Sequence, residues 1–181
     1  MVEIKGASGA LFFRLACLFT LIYAAAAGLR TISDFDVWWQ LASGRELLAT
    51  GHLPRVDVFS YTASGAAWTY PAGAGVLFYL IYGLGGYTLL SLLAPLAAAS
   101  IAGLLLWRGG IVRACILAIA VPLIVGRTML RAEMFTTVLT AVFLALLWEE
   151  LPVLWCLPVL MLAWVNLHPG FVAGIALVLM F

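Results

Sequence analysis

Two carboxylates stand close together in the segment SDFDVWWQ, directly after a long apolar run. These are Asp34 and Asp36. A carboxylate can accept the proton of a reacting hydroxyl and so act as a general base. It can also cap the N-terminus of the helix that follows, but two acids two positions apart exceed what one cap requires. Both aspartates are therefore candidate catalytic residues, with helix capping as the rival interpretation for either one alone.

A second group of polar residues lies far downstream, at the ends of two other apolar runs. It contains Arg127, Arg131 and Glu133, followed by Asn166 and His168. Guanidinium groups bind phosphate through charge-assisted hydrogen bonds, although arginines at these positions can also extend to lipid headgroups. Glu133 can pair with one of the arginines, and His168, before Pro169, can be an ordinary turn residue. If these groups converge with the aspartates, their chemistry suits transfer of a group from a lipid-linked phosphate.

The composition indicates the environment of these residues. The chain has 181 residues, of which 66% are hydrophobic and 9% charged, with a net charge of +1 and a mean hydropathy of +1.16. Soluble domains carry about a quarter charged residues, so an all-α polytopic membrane protein in contact with lipid is predicted. No basic run is present to bind nucleic acid. Cys17, Cys115 and Cys156 lie in apolar runs without metal-binding spacing, so neither a disulfide nor a thiolate metal site is expected.

A helix needs roughly 20 residues to cross a bilayer. The apolar runs predict about six spans in a single membrane module. The first run is longer than the apolar region of a signal peptide, which favours a retained span. The sixth begins at residue 171 and is interrupted by the end of the chain, so the module is expected to be incomplete. The predicted spans are 10–29, 87–107, 111–126, 134–148, 151–165 and 171–181.

The segment between the first two spans, residues 30–86, is predicted to be a long loop with two juxtamembrane helices. The first, 37–50, carries Trp38 and Trp39, which are expected to anchor it at the membrane interface. The second, 71–84, would extend only about 21 Å, which is too short to cross. It is therefore predicted to lie at the membrane surface or to re-enter from it.

The basic residues predict the orientation. Lys5 and Arg14 precede or begin the first span, and Arg108 and Arg113 follow the second. The positive-inside rule assigns all four to the cytoplasmic side when 71–84 is not counted as a span. The N-terminus is then cytoplasmic. The loop with the two aspartates, the loop with the later arginines and the loop with His168 all face outward, so their polar groups are expected to share one site.

Several strings occur together in an order that resembles a known family. SDFDVWWQLASGRELLATGHLPRVDVFSYTASGAAW follows the first span, RTMLRAEMFTTVLTAVFLALLWE follows the third, and WVNLHPGFVAGIAL comes near the end. They resemble the N-terminal module of bacterial integral-membrane glycosyltransferases of the C superfamily (GT-C), which use polyprenyl-phosphate sugars and include mannosyltransferases. The resemblance covers most of the chain, and its first string is moderately specific.

This resemblance implies transfer of a sugar from a polyprenyl-phosphate donor to an acceptor on the outer face of the bacterial inner membrane. Asp36 would be the catalytic or metal-associated carboxylate, with Asp34 beside it, so a divalent cation is a possible cofactor. Arg131 and Glu133 would handle the donor phosphate or the acceptor.

The chain also departs from the pattern of that family. Relatives usually carry His where this chain has Gln40, and an acidic, His-containing string where it has WTYPAGAG, whose one ionisable side chain is Tyr70. They are also considerably longer. The alternative hypothesis is therefore a non-catalytic membrane subunit. It would pack through the small residues of 24–28 and 96–103 against a protein partner that supplies further helices.

Overall fold

A computed structural model describes residues 7–148 and 153–181. The prediction of an all-α protein is confirmed: the structure is 75% helical, and the described residues contain no strand. Lys5 and part of the predicted span 151–165 lie outside the described residues. The α-helices are α1 (Ala7–Gly28), α2 (Asp36–Thr50), α3 (Gly73–Ser91), α4 (Leu93–Leu106), α5 (Ile111–Arg127), α6 (Glu133–Trp148), α7 (Leu157–Leu167) and α8 (Val172–Met180), with short 3-10 turns at Leu154–Cys156 and Pro169–Phe171.

Two helices in the described part of the chain are long and apolar enough to cross a membrane, Ser8–Gly28 and Gly73–Ser91. The second is not continuous. Gly85 has φ −155° and Gly86 has φ +59° with ψ −153°, so the helical backbone is interrupted there. A positive φ of this kind is strained for any residue with a Cβ atom, which explains a glycine at position 86. The segment before the break extends only about 18 Å at 1.5 Å per residue.

α1, α4 and α5 pack side by side through small residues. Ala24 of α1 meets Ala98 and Ala102 of α4, and Val121 and Val125 of α5 complete this cluster. All three alanines are fully buried. Ala24, Ala98 and Ala102 thus pack within the chain, since small side chains let helix backbones approach closely, whereas Ala26 and Ser100 of the same two segments are exposed.

The outer surfaces of these helices are apolar. Leu11, Leu18 and Phe19 on α1 and Ile119 and Leu123 on α5 are more than half exposed. Large exposed apolar faces are uncommon on soluble monomers and suit contact with hydrocarbon. α1 runs antiparallel to α4 and parallel to α5, as Phe13 packs near Leu106 and Ala24 near Val125. Asp34 and Arg131 consequently lie at the opposite end of the bundle from Arg108.

α2 and the first half of α3 pack against each other at that end through glycines. A Cβ atom added to Gly44 would overlap the backbone of Gly75, and one added to Gly75 would lie 2.8 Å from the Ser43 hydroxyl oxygen. Along the same face of α2, Val37 and Leu41 cluster with Phe78 of α3 and with Leu130 and Met134. This close contact fixes the face of α2 that carries Asp36 and Gln40.

Gly44→Ala is expected to destabilise the protein by about 1–3 kcal/mol, because the added methyl group forces α2 and α3 apart. The measurement is the free energy of unfolding in detergent micelles. Gly83→Ala is the matched control, since a Cβ atom there meets nothing within 4 Å. Alanine raises helix propensity at that position, so the control is expected to be neutral or up to about 1 kcal/mol stabilising. Equal effects of the two substitutions would contradict the proposed role of Gly44.

Candidate active site

A cavity of about 120 Å³ opens between α2, the start of α3, the start of α6 and the junction of α7 with α8. Residues from four distant parts of the sequence meet there. Asp36, Arg131, Glu133 and His168, which the sequence singled out, all line this cavity. Asp34, Arg127, Asn166 and Trp38 do not. The remaining lining residues are Trp39, Gln40, Ser43, Tyr70, Pro71, Ala74, Gly75, Ala132, Leu167 and Pro169.

The two aspartates have different roles in the structure. Asp34 Oδ1 accepts the backbone N–H of Asp36 at 2.9 Å, which satisfies one of the free amides at the start of α2. Asp34 therefore bonds the first amide of α2 from one position before the N-cap residue, Phe35. Asp36 itself is the first residue of the helix, and its Oδ1 accepts the indole N–H of Trp39 at 3.1 Å. Asp36 lines the cavity and makes no ion pair with another described residue. Its carboxylate oxygens can therefore accept a further hydrogen bond from a ligand.

Arg131 links the two sides of the site. Its Nη2 donates to Glu133 Oε2, and its Nη1 lies 3.6 Å from Asp34 Oδ2. Glu133 also accepts from Arg127 Nη1 at 3.0 Å. The Arg127 side chain is 68% exposed, whereas that of Arg131 is 32% exposed and lines the cavity. Arg131 is thus the guanidinium that a phosphate in the cavity would meet, and Glu133 holds it in place.

His168 is held as a neutral hydrogen-bond donor. Its Nδ1 accepts the backbone N–H of Gly170 at 3.0 Å. The Thr136 hydroxyl oxygen accepts the indole N–H of the fully buried Trp164 at 2.9 Å, so the hydroxyl proton is available to Nδ1 at 2.8 Å. Because Nδ1 accepts from both groups, the ring proton resides on Nε2. His168 can donate from Nε2 to a ligand, so a group in this cavity that accepts a proton would have to be a carboxylate.

Burial lowers the pKa of His168, while the Glu133 carboxylate raises it and the Arg131 guanidinium lowers it. A histidine whose folded-state pKa lies below its unfolded value contributes stability that is present above the unfolded pKa of about 6.5 and is lost as the pH falls through the folded pKa.

The wild-type protein is therefore expected to unfold more easily in detergent at about pH 5 than at about pH 7.5. His168→Asn retains an acceptor for the Gly170 amide but cannot titrate, so its unfolding midpoint is expected to fall less over the same interval. A fall of the same size in both proteins would show that His168 does not cause the loss.

Two aromatic side chains, Trp39 and Tyr70, line the cavity, and further rings pack behind them. The Trp39 ring lies 5.1 Å from Tyr70 and 5.5 Å from Trp68, and Phe59 lies 5.4 Å from Trp68, measured between ring centroids. Trp39 lines the cavity, and its role as an interfacial anchor stays a prediction. Tyr70 was noted in the sequence only as a departure from the family pattern. It comes from a loop with no helical periodicity, so no sequence pattern placed it at the site.

Trp38 and Asn166 lie outside the cavity. Trp38 is 45% exposed and packs edge-on against Tyr87, which suits the predicted interfacial role. Asn166 is exposed, and its amide donates to the Leu162 carbonyl oxygen of its own helix at 2.8 Å. The predicted role of Asn166 in ligand binding therefore receives no support from its position.

The cavity does not have the donor set of a metal centre. No three His, Cys, Asp or Glu side chains come together among the described residues. Glu133 is engaged by two arginines, so Asp36 would be the one available carboxylate. Protein-bound divalent cations of the hard type require several oxygen ligands.

No protein-family model, curated protein or solved structure matches this chain.

Proposed function

We propose that this chain is a GT-C-like membrane glycosyltransferase module that transfers a sugar from a polyprenyl-phosphate donor to an acceptor hydroxyl. The observation that carries the proposal is the convergence of Asp36, Arg131 and His168 on one cavity. A general base, a guanidinium and a neutral hydrogen-bond donor are the groups that this reaction requires at one place.

In the proposed reaction, Asp36 accepts the proton of the acceptor hydroxyl. The acceptor oxygen forms a bond to the anomeric carbon of the donor sugar as the bond between that carbon and the phosphate oxygen breaks. The polyprenyl phosphate leaves with the bonding electron pair. Arg131 and the Nε2–H of His168 stabilise the charge that develops on this leaving group, since pre-placed donors stabilise charge without reorganising.

The proposed membrane arrangement has six spans. Residues 87–106, which include the end of α3 and α4, form the second span. α1, α5, α6, α7 and α8 form the others, and α2 and residues 73–84 lie at the surface. The exposed apolar faces of α1 and α5 and the break at Gly85 support this arrangement. Arg108 and Arg113 lie at the end opposite the cavity, so the positive-inside rule favours a cytoplasmic N-terminus and an outward-facing site in the bacterial inner membrane.

The experiment that tests the proposal is transfer of radiolabelled sugar from a polyprenyl-phosphate donor by membranes that contain the chain. Asp36→Asn is the deciding variant. Transfer by the wild type that is lost in this variant, at equal membrane insertion, supports the assignment. A wild type without transfer to any hydroxylated acceptor would favour the alternative of a non-catalytic subunit.

A further inference from the structure

A hydrogen bond joins the candidate base Asp36 to a neighbouring aromatic side chain. The indole Nε1–H of Trp39 donates to Asp36 Oδ1 at 3.1 Å. The two residues are three positions apart in α2, so they lie about one turn apart on the same face, and both line the cavity. Among the described residues, Trp39 is the one side chain that donates to this carboxylate. It engages Oδ1 and leaves Oδ2 available to a ligand.

The Trp39 ring packs against two aromatic residues of the loop between α2 and α3. Its centroid lies 5.1 Å from that of Tyr70 and 5.5 Å from that of Trp68. These two rings also contact each other at 5.6 Å, and the indole N–H of Trp68 donates to the Tyr70 carbonyl oxygen at 3.1 Å. Tilted and edge-on ring contacts have preferred geometries, so they restrict the rotation of the Trp39 side chain.

The loop that carries these rings is closed by its own backbone hydrogen bonds. The N–H of Asp57 donates to the Ala66 carbonyl oxygen at 2.7 Å, and the N–H of Trp68 donates to the Arg55 carbonyl oxygen at 3.0 Å. Paired backbone groups hold the loop in one conformation. The direction of the Trp39 N–H is therefore fixed by contacts that lie outside α2.

These contacts bear on the reaction because a general base must face the proton that it accepts. A carboxylate on a freely rotating side chain occupies several rotamers, and only some of them face a bound hydroxyl. A hydrogen bond to one oxygen from a donor of fixed direction selects one orientation. Such orientation of a catalytic group contributes to rate, because fewer of the encounters with the bound acceptor are unproductive.

We propose that Trp39 is a positioning residue for the base: its indole N–H holds Asp36 Oδ1, and Oδ2 takes up the proton of the acceptor hydroxyl. The inference rests on the proposed function, since it assigns the two oxygens of the same carboxylate to different tasks. Trp39 acts through Asp36 and forms no bond to the reacting atoms.

The kinetic test is Trp39→Phe, which keeps an aromatic ring beside Tyr70 and removes the indole N–H. The variant is expected to lower kcat for sugar transfer about tenfold, the effect of losing a hydrogen bond to a charged group. KM for the acceptor is expected to stay within about twofold, because the acceptor still enters the cavity. A raised KM with unchanged kcat would mean that Trp39 contacts the ligand instead, and would overturn the proposal.

The neighbouring tryptophan provides the matched control. Trp38→Phe removes an indole N–H outside the cavity and keeps the ring beside Tyr87, so transfer is expected to be unchanged. In an Asp36→Asn background, Trp39→Phe is expected to lower the residual transfer by less than about twofold, because no base remains to be positioned. A further tenfold loss in that background would show that Trp39 acts independently of Asp36, and would overturn the proposal.

A measurement without substrate tests the contact itself. The indole N–H signals of the full chain are recorded by ¹H–¹⁵N NMR in detergent micelles, and Trp39→Phe identifies the Trp39 signal by its loss. Asp36→Ala is expected to shift this signal and to leave that of Trp38 in place. An unshifted Trp39 signal would overturn the inference. Wild-type transfer that Trp39→Phe retains in full would overturn it too and leave the proposed function standing, whereas a wild type without transfer would remove both.

Discussion

Asp36→Asn is expected to lower sugar transfer by about 10²–10⁴-fold, the contribution that a positioned general base makes. Asparagine has nearly the same shape and can still accept the indole N–H of Trp39, which in the wild type donates to Asp36 Oδ1. It cannot take up the proton of the acceptor hydroxyl. The measurement is the initial rate of transfer from a polyprenyl-phosphate sugar, normalised to the amount of chain in the membrane.

Asp57→Asn is the matched control for this experiment. Asp57 belongs to the loop after α2, where its Oδ1 accepts the backbone N–H groups of Phe59 and Ser60. Hydrogen bonds from Ser60 lower the pKa of Asp57, so it is a charged residue with a local structural role. It does not line the cavity, and asparagine can accept the same two amides. Transfer is expected to be unchanged. Full activity in Asp36→Asn would remove the catalytic assignment.

Arg131→Gln is expected to weaken the use of the polyprenyl-phosphate donor by about 10²-fold in kcat/KM. The substitution removes the guanidinium that lines the cavity and leaves Glu133 with Arg127 alone. Losing a charge-assisted contact to a phosphate that is partly shielded from water costs about 2–4 kcal/mol. Arg131→Lys is expected to restore little, because an ammonium group cannot bridge Asp34 and Glu133 as a planar guanidinium does.

Arg127→Gln provides the comparison. Arg127 pairs with the same glutamate, but its side chain is mostly exposed and lies outside the cavity. Exposed ion pairs contribute about 0–1 kcal/mol. Donor use is therefore expected to change by less than about fivefold. If both arginine variants lost activity equally, Glu133 rather than Arg131 would be the residue on which donor binding depends.

Some of this organisation could be predicted from sequence because it follows from chain length and polarity. Composition predicts helices, since a chain this apolar must satisfy its backbone groups internally. The sequence predicts one helix over 71–84 and another over 87–107, and the structure has non-helical backbone at Gly85 and Gly86, between these two ranges. The expectation that Asp36, Arg131 and His168 meet came from the alternation of spans, which brings every second loop to the same end.

Other features depend on contacts between distant residues and left no pattern in the sequence. Nothing local distinguishes Asp34, which bonds the first amide of α2, from Asp36, which lines the cavity. Gln40 interrupts an apolar face of α2 and gives no indication that it will be buried without a partner. The proton on His168 is fixed through Thr136 and Trp164, and Thr136 comes from a different helix. Such arrangements can be recognised only in the folded structure, where residues from distant parts of the sequence are in contact.

The wide separation of the site residues along the chain has a consequence for biogenesis. Asp36 is synthesised early and His168 late, so every helix between them must be synthesised before the cavity can form. A nascent chain that has reached only α6 lacks the Nε2–H donor of His168 and the wall formed by Leu167 and Pro169. The cavity therefore cannot assemble until synthesis has progressed through α7, so a partly synthesised chain would lack any activity that depends on this cavity.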